Sequence, residues 1–446
     1  MGHLSFLTRA EIESLGPPLP EDLEETGVSD ALLRDLALKY VATLADATSA
    51  VVAEKLHLPS ALTEEILYSL YREKLIEMRL QSAVGVTRYA MLDPGWESLL
   101  RLEVHNGYRG PAPVSLADYT YMIRLQATPS RPVSLDTIRS AFSDLVLPES
   151  LLQTLGCVIN SRSSLFLTGP SGTGKTAVCA RINAALSGSI WIPYAIEVDG
   201  QIIRIYDPNH HHPFQKKPTR LEYDRRWIEI KRPLIMVGGE LTLDNASLTW
   251  LGTSKYYDAP FQMKANGGTL VIDDFGRQAV SSRELLNRWI QPLERRVDFL
   301  TLTNGKKLEV PFEQLLVFST NLEEGSIMDE AFLRRMAYRA RVEMPTSSAY
   351  IEIFKRAASA KGIKLDKDTL DYVLGKYSHE ARPMKSCEPR DLLNRVSDLC
   401  VFEGRALRLT RELIDLAWKN YFGVTHSFES HPAKVGITAQ AGAIAI

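Results

Sequence analysis

One stretch of the sequence has the residue types and spacing that bind a chain of phosphates. It reads Gly169, Pro170, Ser171, Gly172, Thr173, Gly174, Lys175 and Thr176, which fits the pattern G-x-x-x-x-G-K-[ST]. Its glycines permit a tight turn whose amide groups point at phosphate, and Lys175 supplies a cation for the β- and γ-phosphates. The Thr176 hydroxyl is suited to hold Mg²⁺ beside them. The stretch predicts a site for ATP and magnesium, with a chance glycine-rich turn as the alternative.

The segments on either side of this loop are the ones that must position it. Residues 164–168 form a short apolar run that is typical of a buried strand. Residues 177–186 are good helix formers and end near Gly188. A loop between a strand and a helix receives the partial positive charge of the helix N-terminus, which favours bound anions. The context therefore agrees with the phosphate-binding interpretation.

Two further apolar strands end in polar residues that could act on a bound nucleotide. Residues 268–272 lead into Asp273 and Asp274, and residues 314–320 lead into Asn321. Asp273 can hold magnesium, while Asp274 can polarise the attacking water and Asn321 can orient it. The alternative for the carboxylates is an acidic turn after a core strand.

Arginines later in the chain are candidates for stabilising charge during phosphoryl transfer. Residues 329–336 are predicted to be a helix that carries Arg334 and Arg335 near its end. Consecutive residues on a helix point about 100° apart, so only one of the two would reach a given phosphate. Both would otherwise lie at a solvated helix end, where cations favour the dipole. Arg390 follows Pro389 in the first turn of another predicted helix.

This ordered set resembles the motifs of the AAA+ ATPases over about residues 136–422. The resemblance assigns 169–176 to Walker A, 270–274 to Walker B, Asn321 to sensor 1, 334–335 to the arginine-finger segment and Arg390 to sensor 2. It implies an α/β core with a parallel sheet flanked by helices, an α-helical lid and a homo-oligomeric ring of the hexameric kind found in such families. It also places the finger at Arg335, which would complete a neighbour's site, and Arg334 in an interface salt bridge.

Within AAA+, the chain looks most similar to the MoxR-like and helix-2-insert branches. Residues 285–294 resemble the leucine-rich helix of those branches, and residues 299–311 form a predicted hairpin with an Asn-Gly turn before the strand that ends at Asn321. One departure is Asp274, because the usual residue there is Glu. The shorter side chain leaves hydrolysis expected but slow.

Composition places the chain among ordinary globular proteins. Its 446 residues are 45% apolar and 24% charged, with a net charge of −2, so nothing draws the whole chain to nucleic acid or anionic lipid. No apolar run approaches the ~18–20 residues of a membrane span. The four cysteines lack metal-ligand spacing and are typical of reduced thiols. We expect a cytoplasmic protein.

Periodicity and composition divide the chain into six segments. They are a flexible arm (1–24), a segment of three helices, a hairpin and a further helix that resembles a winged-helix α+β domain (25–109), a linker (110–133), the segment that resembles the AAA+ nucleotide-binding domain (134–345), a helical segment that resembles the AAA+ lid (346–422) and a disordered tail (423–446). Inside the nucleotide-binding domain, residues 190–206 are predicted to be an insertion hairpin. His210, His211 and His212 are expected in a solvated loop, with a metal site as the alternative.

The winged-helix segment leaves two kinds of partner open. Between Ala31 and Arg79 there are six Lys and Arg residues against seven Asp and Glu residues. Glu64 and Glu65 begin the helix that would face DNA, where DNA-binding proteins carry cations. A protein substrate or scaffold is therefore favoured over DNA.

These observations predict an ATP-hydrolysing ring ATPase that remodels or assembles a protein partner chosen by its winged helix. The alternatives are a DNA-associated ATPase and a nucleotide-gated adaptor that scarcely hydrolyses. The linker at 110–113 and the run 273–278 also resemble bacterial chaperone-like ATPases associated with Flp pilus assembly.

Overall fold

The computed structural model describes residues 3–5, 7–45, 47–80, 87–127, 131–214, 223–322 and 334–423. The chain divides into two compact units, Met1–Met344 and Pro345–Ile446. The predicted tail lies, apart from Gly423, outside the described residues. No helix within these ranges has the length and apolar character needed to cross a lipid bilayer.

The elements of the described residues are numbered in chain order. The helices are α1 (Arg9–Leu15), α2 (Asp30–Thr43), α3 (Ser49–Leu56), α4 (Ser60–Arg72), α5 (Asp93–His105), α6 (Leu116–Gln126), α7 (Leu135–Ala141), α8 (Glu149–Ser161), α9 (Lys175–Ala185), α10 (Phe261–Lys264), α11 (Ser282–Arg295), α12 (Ser347–Ala360), α13 (Lys367–His379), α14 (Glu388–Phe402) and α15 (Arg411–Phe422). The strands are β1 (Ala47–Thr48), β2 (Ile76–Leu80), β3 (Thr87–Met91), β4 (Val114–Ser115), β5 (Leu165–Thr168), β6 (Ser189–Pro193), β7 (Ala195–Val198), β8 (Gln201–Arg204), β9 (Trp227–Lys231), β10 (Leu234–Val237), β11 (Thr249–Leu251), β12 (Tyr256–Asp258), β13 (Thr269–Ile272), β14 (Val297–Thr301), β15 (Lys307–Pro311), β16 (Leu315–Thr320) and β17 (Tyr338–Arg341).

A five-stranded parallel sheet forms the centre of the first unit. Its strand order is β10-β13-β16-β5-β17. Alternate residues face opposite sides: Leu165 and Leu167 pack with α7, α8 and α9, whereas Phe166 packs with α11. Strands buried on both faces need continuous apolar sequence, which β5, β13 and β16 have. The predicted α/β fold class, with helices on both faces of a parallel sheet, is confirmed.

The region before this core contains the element order predicted for residues 25–109. Helices α2, α3 and α4 precede the hairpin of β2 and β3, and α5 follows it; β1, between α2 and α3, adds a third strand to give an antiparallel sheet of order β1-β3-β2. The helices share an apolar core with Leu33, Leu36 and Leu67 fully buried. Its role as a winged helix stays a prediction.

The first 24 residues differ from the flexible arm that the sequence suggests. Helix α1 has a capping box in which Thr8 and Glu11 bond each other's backbone amides. Leu4 is 3% exposed and Ile12 1% exposed, because both pack into the core around α6. Prolines and acidic residues suggested a loose arm, but these two apolar side chains anchor it.

Residues 110–133 also differ from a simple linker. Strand β4 pairs with β7, and α6 buries Tyr119, Met122 and Ile123. Strand β4 completes a second five-stranded sheet, of order β11-β12-β8-β7-β4. Within residues 190–206, predicted as one hairpin, β7 and β8 pair through a turn at Asp199 and Gly200, which both have positive φ, whereas β6 pairs with β9.

The second unit is helical. Helices α12 to α15 lie within the segment predicted to form the lid. Their core contains Tyr350, Tyr377 and Trp418, and the Tyr350 hydroxyl donates to the Tyr377 hydroxyl, which donates to the Glu388 carboxylate.

Candidate nucleotide-binding site

The glycine-rich loop joins the end of β5 to the start of α9. Gly169, Gly172 and Gly174 have φ values of +147°, +84° and +97°. A Cβ at Gly169 would lie 2.2 Å from the carbonyl oxygen of Val342, whereas a Cβ at Gly174 would meet nothing within 4 Å. The backbone of the loop therefore requires glycine at position 169 for both its dihedral angle and its close contact.

Lys175 begins α9, and its side chain folds back over the loop. Its Nζ donates to the carbonyl oxygens of Gly169 at 2.8 Å and Pro170 at 3.0 Å. Burial lowers the pKa of Lys175, while the carboxylates of Asp273 and Asp274 oppose that shift. An ammonium group held among neutral carbonyls is prepared to exchange them for phosphate oxygens, which are stronger partners.

Asp273 follows β13 and contacts the loop directly. The Thr176 hydroxyl donates to its Oδ2 at 2.8 Å, and its Oδ1 accepts from the Asp274 amide at 3.0 Å. A hydroxyl and a carboxylate are oxygen ligands of the kind that Mg²⁺ uses, together with water and substrate phosphates. Among the described residues no group of three or more His, Cys, Asp or Glu could hold a metal ion. The Thr176 hydroxyl and the Asp273 carboxylate fit a magnesium ion whose other ligands are phosphate oxygens and water.

Asp274 and Asn321 end neighbouring strands at the same edge of the sheet. Asp274 is exposed and has φ +48°, a left-handed conformation. Strand β16 pairs Thr320 with Thr168, so Asn321 lies beside the first residue of the loop. The Asn321 Oδ1 is buried and finds no hydrogen-bond partner among the described residues. The structure thus brings together the loop, Asp273, Asp274 and Asn321, as the sequence predicts.

The predicted finger arginines lie just before β17, at the end of the sheet opposite to the glycine-rich loop. Arg335 pairs with Glu294 of α11, with its Nε 2.5 Å from Oε1, and its carbonyl oxygen lies 3.4 Å from the Ser164 hydroxyl that donates to it. Arg334 is exposed beside it. Most of the helix predicted for residues 329–336 lies outside the described residues.

The register of β17 explains why Arg335 and the loop are separated. Tyr338 pairs with Leu165 at the start of β5, and the loop begins after Thr168 at its end. Four residues of strand span about 13 Å. Arg335 therefore lies beyond the reach of the loop in its own sheet.

Arg390 belongs to the second unit, in the first turn of α14. Its side chain is 72% exposed and its Nε lies 3.4 Å from Oδ1 of Asp391. Its predicted role toward the nucleotide stays a prediction.

Two polar side chains near the carboxylates belong to no motif by which the sequence would identify them. Gln278 bonds the backbone around Asp274, and the Thr320 hydroxyl donates to the carbonyl oxygen of Phe275 at 2.7 Å. The sequence signal that could have identified Gln278 is its spacing, because it lies four residues after Asp274 in a segment that contains Gly276.

Comparisons with known proteins add little to this geometry. The model of a domain of unknown function, DUF8689, matches residues 346–420. No curated protein sequence matches the chain. NtrX from Brucella abortus in complex with ATP is 17% identical over 61% of this chain and 58% of that chain, with a TM-score of 0.37. The Thermotoga maritima RuvB Holliday junction branch migration motor is 16% identical over 61% of this chain and 69% of that chain, with a TM-score of 0.35.

The chain thus spans less than two thirds of the NtrX structure that it matches. At these low scores, the function of the chain is inferred from its own residues.

Proposed function

We propose that this chain binds ATP with magnesium and hydrolyses it. The observation that carries the proposal is the contact between Thr176 and Asp273 beside a buried Lys175, within a loop whose three glycines have positive φ. A glycine-rich turn without a role in phosphate binding would not require a carboxylate from β13, which is separated from β5 by one strand of the sheet.

Each residue has a distinct role in this proposal. The loop amides and Lys175 bind the phosphates, and Thr176 and Asp273 hold Mg²⁺. When bound, magnesium supplies positive charge beside the β- and γ-phosphates. Asp274 accepts a proton from the attacking water, which Asn321 orients through its buried Oδ1. The products are ADP and inorganic phosphate.

Calorimetry and a phosphate-release assay test this proposal. Lys175→Ala removes the cation of the loop and should abolish ATP binding. Asp274→Asn keeps the size of the side chain but not its basicity, so ATP should bind while turnover falls by ~10²-fold or more. Lys175→Ala that binds ATP like the wild type would contradict the loop assignment. A wild type that binds ATP without turnover would favour the nucleotide-gated adaptor.

We propose that the chain assembles into a homo-oligomeric ring, which by its resemblance to the AAA+ ATPases would be a hexamer. The position of Arg335 supports this proposal. Because Arg335 lies at the other end of the sheet from the loop of its own chain, it could act in phosphoryl transfer only on the nucleotide of another subunit. A finger given in trans contributes ~10³–10⁵ in rate in known cases. Arg334 would then form an interface salt bridge.

Complementation between two inactive variants tests the trans role. A ring that mixes Lys175→Ala with Arg335→Ala contains intact loops next to intact arginines, so activity should partly return. A mixture of Lys175→Ala with the Lys175→Ala/Arg335→Ala double variant is the matched control and should stay inactive. Co-assembly is verified with two affinity tags. Co-assembled rings of the first mixture that stay inactive would refute the trans role.

We further propose that the N-terminal α+β module selects a protein partner for remodelling or assembly. Glu64 and Glu65 are exposed on α4 and would face phosphates if this helix bound DNA. Turnover of the full chain should therefore be insensitive to added duplex DNA at low salt. DNA-stimulated turnover that declines steeply with salt would favour the DNA-associated alternative.

A further inference from the structure

The turn that carries Asp274 is strained and tightly bonded. A left-handed backbone at a residue other than glycine costs on the order of 1–2 kcal/mol, so surrounding contacts must hold it. Gly276 has φ +99°, and the amide of Arg277 donates to the carbonyl oxygen of Asp274 at 3.0 Å. These bonds close a turn immediately after the carboxylate.

A single side chain bonds this turn at several points. The Nε2 of Gln278 lies 3.0 Å from the carbonyl oxygen of Asp273 and 3.3 Å from that of Asp274. Its Oε1 accepts from the amide of Gly276 at 2.8 Å. Gln278 therefore uses both ends of its amide on the three residues that fix the direction of the Asp274 side chain.

The same amide ties the turn to the neighbouring strand. Its Nε2 also lies 3.3 Å from the carbonyl oxygen of Gly238, which follows β10. On the other side, the amide of Phe275 donates to the carbonyl oxygen of Ser319 at 2.8 Å, and the Thr320 hydroxyl donates to the carbonyl oxygen of Phe275. The turn is thus fixed to both β10 and β16.

We propose that Gln278 is a positioning residue for ATP hydrolysis, which holds the Asp274 carboxylate toward the attacking water by bonding the turn that carries it. The proposal rests on the proposed ATPase function and assigns a role to a residue outside the glycine-rich loop. Within the described residues, the amide of Gln278 bonds the backbone of this turn and of Gly238, so Gln278 acts through the groups that the turn carries, chiefly the Asp274 carboxylate. Misplacement of a reacting group by about 1 Å can lower a rate by ~10²-fold.

Two variants separate the bonds from the bulk of the side chain. Gln278→Leu removes every hydrogen bond of the amide. Gln278→Glu keeps the shape and the acceptor for Gly276 but loses the donors to three carbonyl oxygens. Both variants should lower kcat by ~10–10²-fold with an ATP affinity near that of the wild type, because the phosphate loop is untouched. Gln291→Leu, the same change on the exposed face of α11, is the matched control and should behave like the wild type.

The double variant Asp274→Asn/Gln278→Leu distinguishes positioning from general support. If Gln278 acts through the Asp274 carboxylate, its loss should cost nothing more once that carboxylate is gone. The residual turnover, followed with radiolabelled ATP, should equal that of Asp274→Asn alone. A further tenfold fall, or a parallel loss of ATP affinity, would overturn the role.

The experiments distinguish failure of the proposed ATPase function from failure of the role of Gln278. A wild type without turnover removes the ATPase function and the role of Gln278 together. An active wild type with an impaired Asp274→Asn and a fully active Gln278→Glu overturns only the role of Gln278. If Gln278→Leu does not fold, judged by its unfolding midpoint, the Gln278→Glu variant decides.

Discussion

Two glycines of the phosphate-binding loop should respond very differently to the same substitution. Gly169 and Gly174 both have positive φ, yet only Gly169 lies against backbone, at the carbonyl oxygen of Val342. Gly169→Ala and Gly174→Ala therefore form a matched pair within one motif. We expect Gly169→Ala to destabilise the first unit far more in the absence of nucleotide.

The magnitudes follow from the two contacts. A left-handed conformation costs an alanine on the order of 1–2 kcal/mol at either position. At Gly169 the added Cβ would be 2.2 Å from the Val342 oxygen, and overpacking of this kind costs about 1–3 kcal/mol more because backbone must move. Gly169→Ala should therefore lower the free energy of unfolding by about 2–5 kcal/mol and Gly174→Ala by about 1–2 kcal/mol.

Urea unfolding of the nucleotide-free variants measures this difference. Five of the six tryptophans (Trp96, Trp191, Trp227, Trp250 and Trp289) belong to the first unit, so tryptophan fluorescence reports mainly on it. The midpoint for Gly169→Ala should lie well below that for Gly174→Ala. Equal midpoints would refute the steric account of Gly169 and with it the close approach of the residues that follow β17.

Three other substitutions test separate parts of the first unit. Arg226→Met leaves the buried Asp224 carboxylate without its cation and should cost about 3–5 kcal/mol by urea unfolding, unlike the exposed neighbour Arg225→Met. Burial lowers the pKa of His211 to about 4. Between pH 6.5 and 4 the unfolded chain therefore binds a proton that the folded chain does not. The free energy of unfolding should fall by up to about 3 kcal/mol as the pH is lowered through this range, and by less in His211→Gln. Thr176→Val should leave ATP affinity in EDTA unchanged while reducing the gain that Mg²⁺ gives in calorimetry.

The core around the glycine-rich loop could be predicted because its signals are local. The loop from Gly169 to Thr176, the strand before it and the helix after it occupy about twenty consecutive residues. Asp273 and Asn321 follow apolar runs whose carboxyl ends must meet at one edge of a parallel sheet. Patterns of this length fix both the strand and the side chain at its end.

The second sheet could not be predicted in the same way. Strand β4 has two residues and β11 and β12 have three each, so none shows a measurable period. Their pairing is long-range: β4 lies beside β7, and β12 beside β8. The buried position of His211 has the same origin, because its ring nitrogens contact the Asp207 amide at 3.0 Å and the Lys264 carbonyl oxygen at 2.8 Å. A run of three histidines gives no sign of such partners.

The backbone at Asp274 gives a physical reason for the residue that departs from the AAA+ pattern. Its φ of +48° lies in the left-handed region, where Asp and Asn are enriched because their short side chains bond locally, and where Glu has no such compensation. The backbone conformation at Asp274 sets the direction of its carboxylate, and the Gln278 amide holds the turn that gives this conformation. If Asp274 is the base that we propose, its position is set by the turn that carries it.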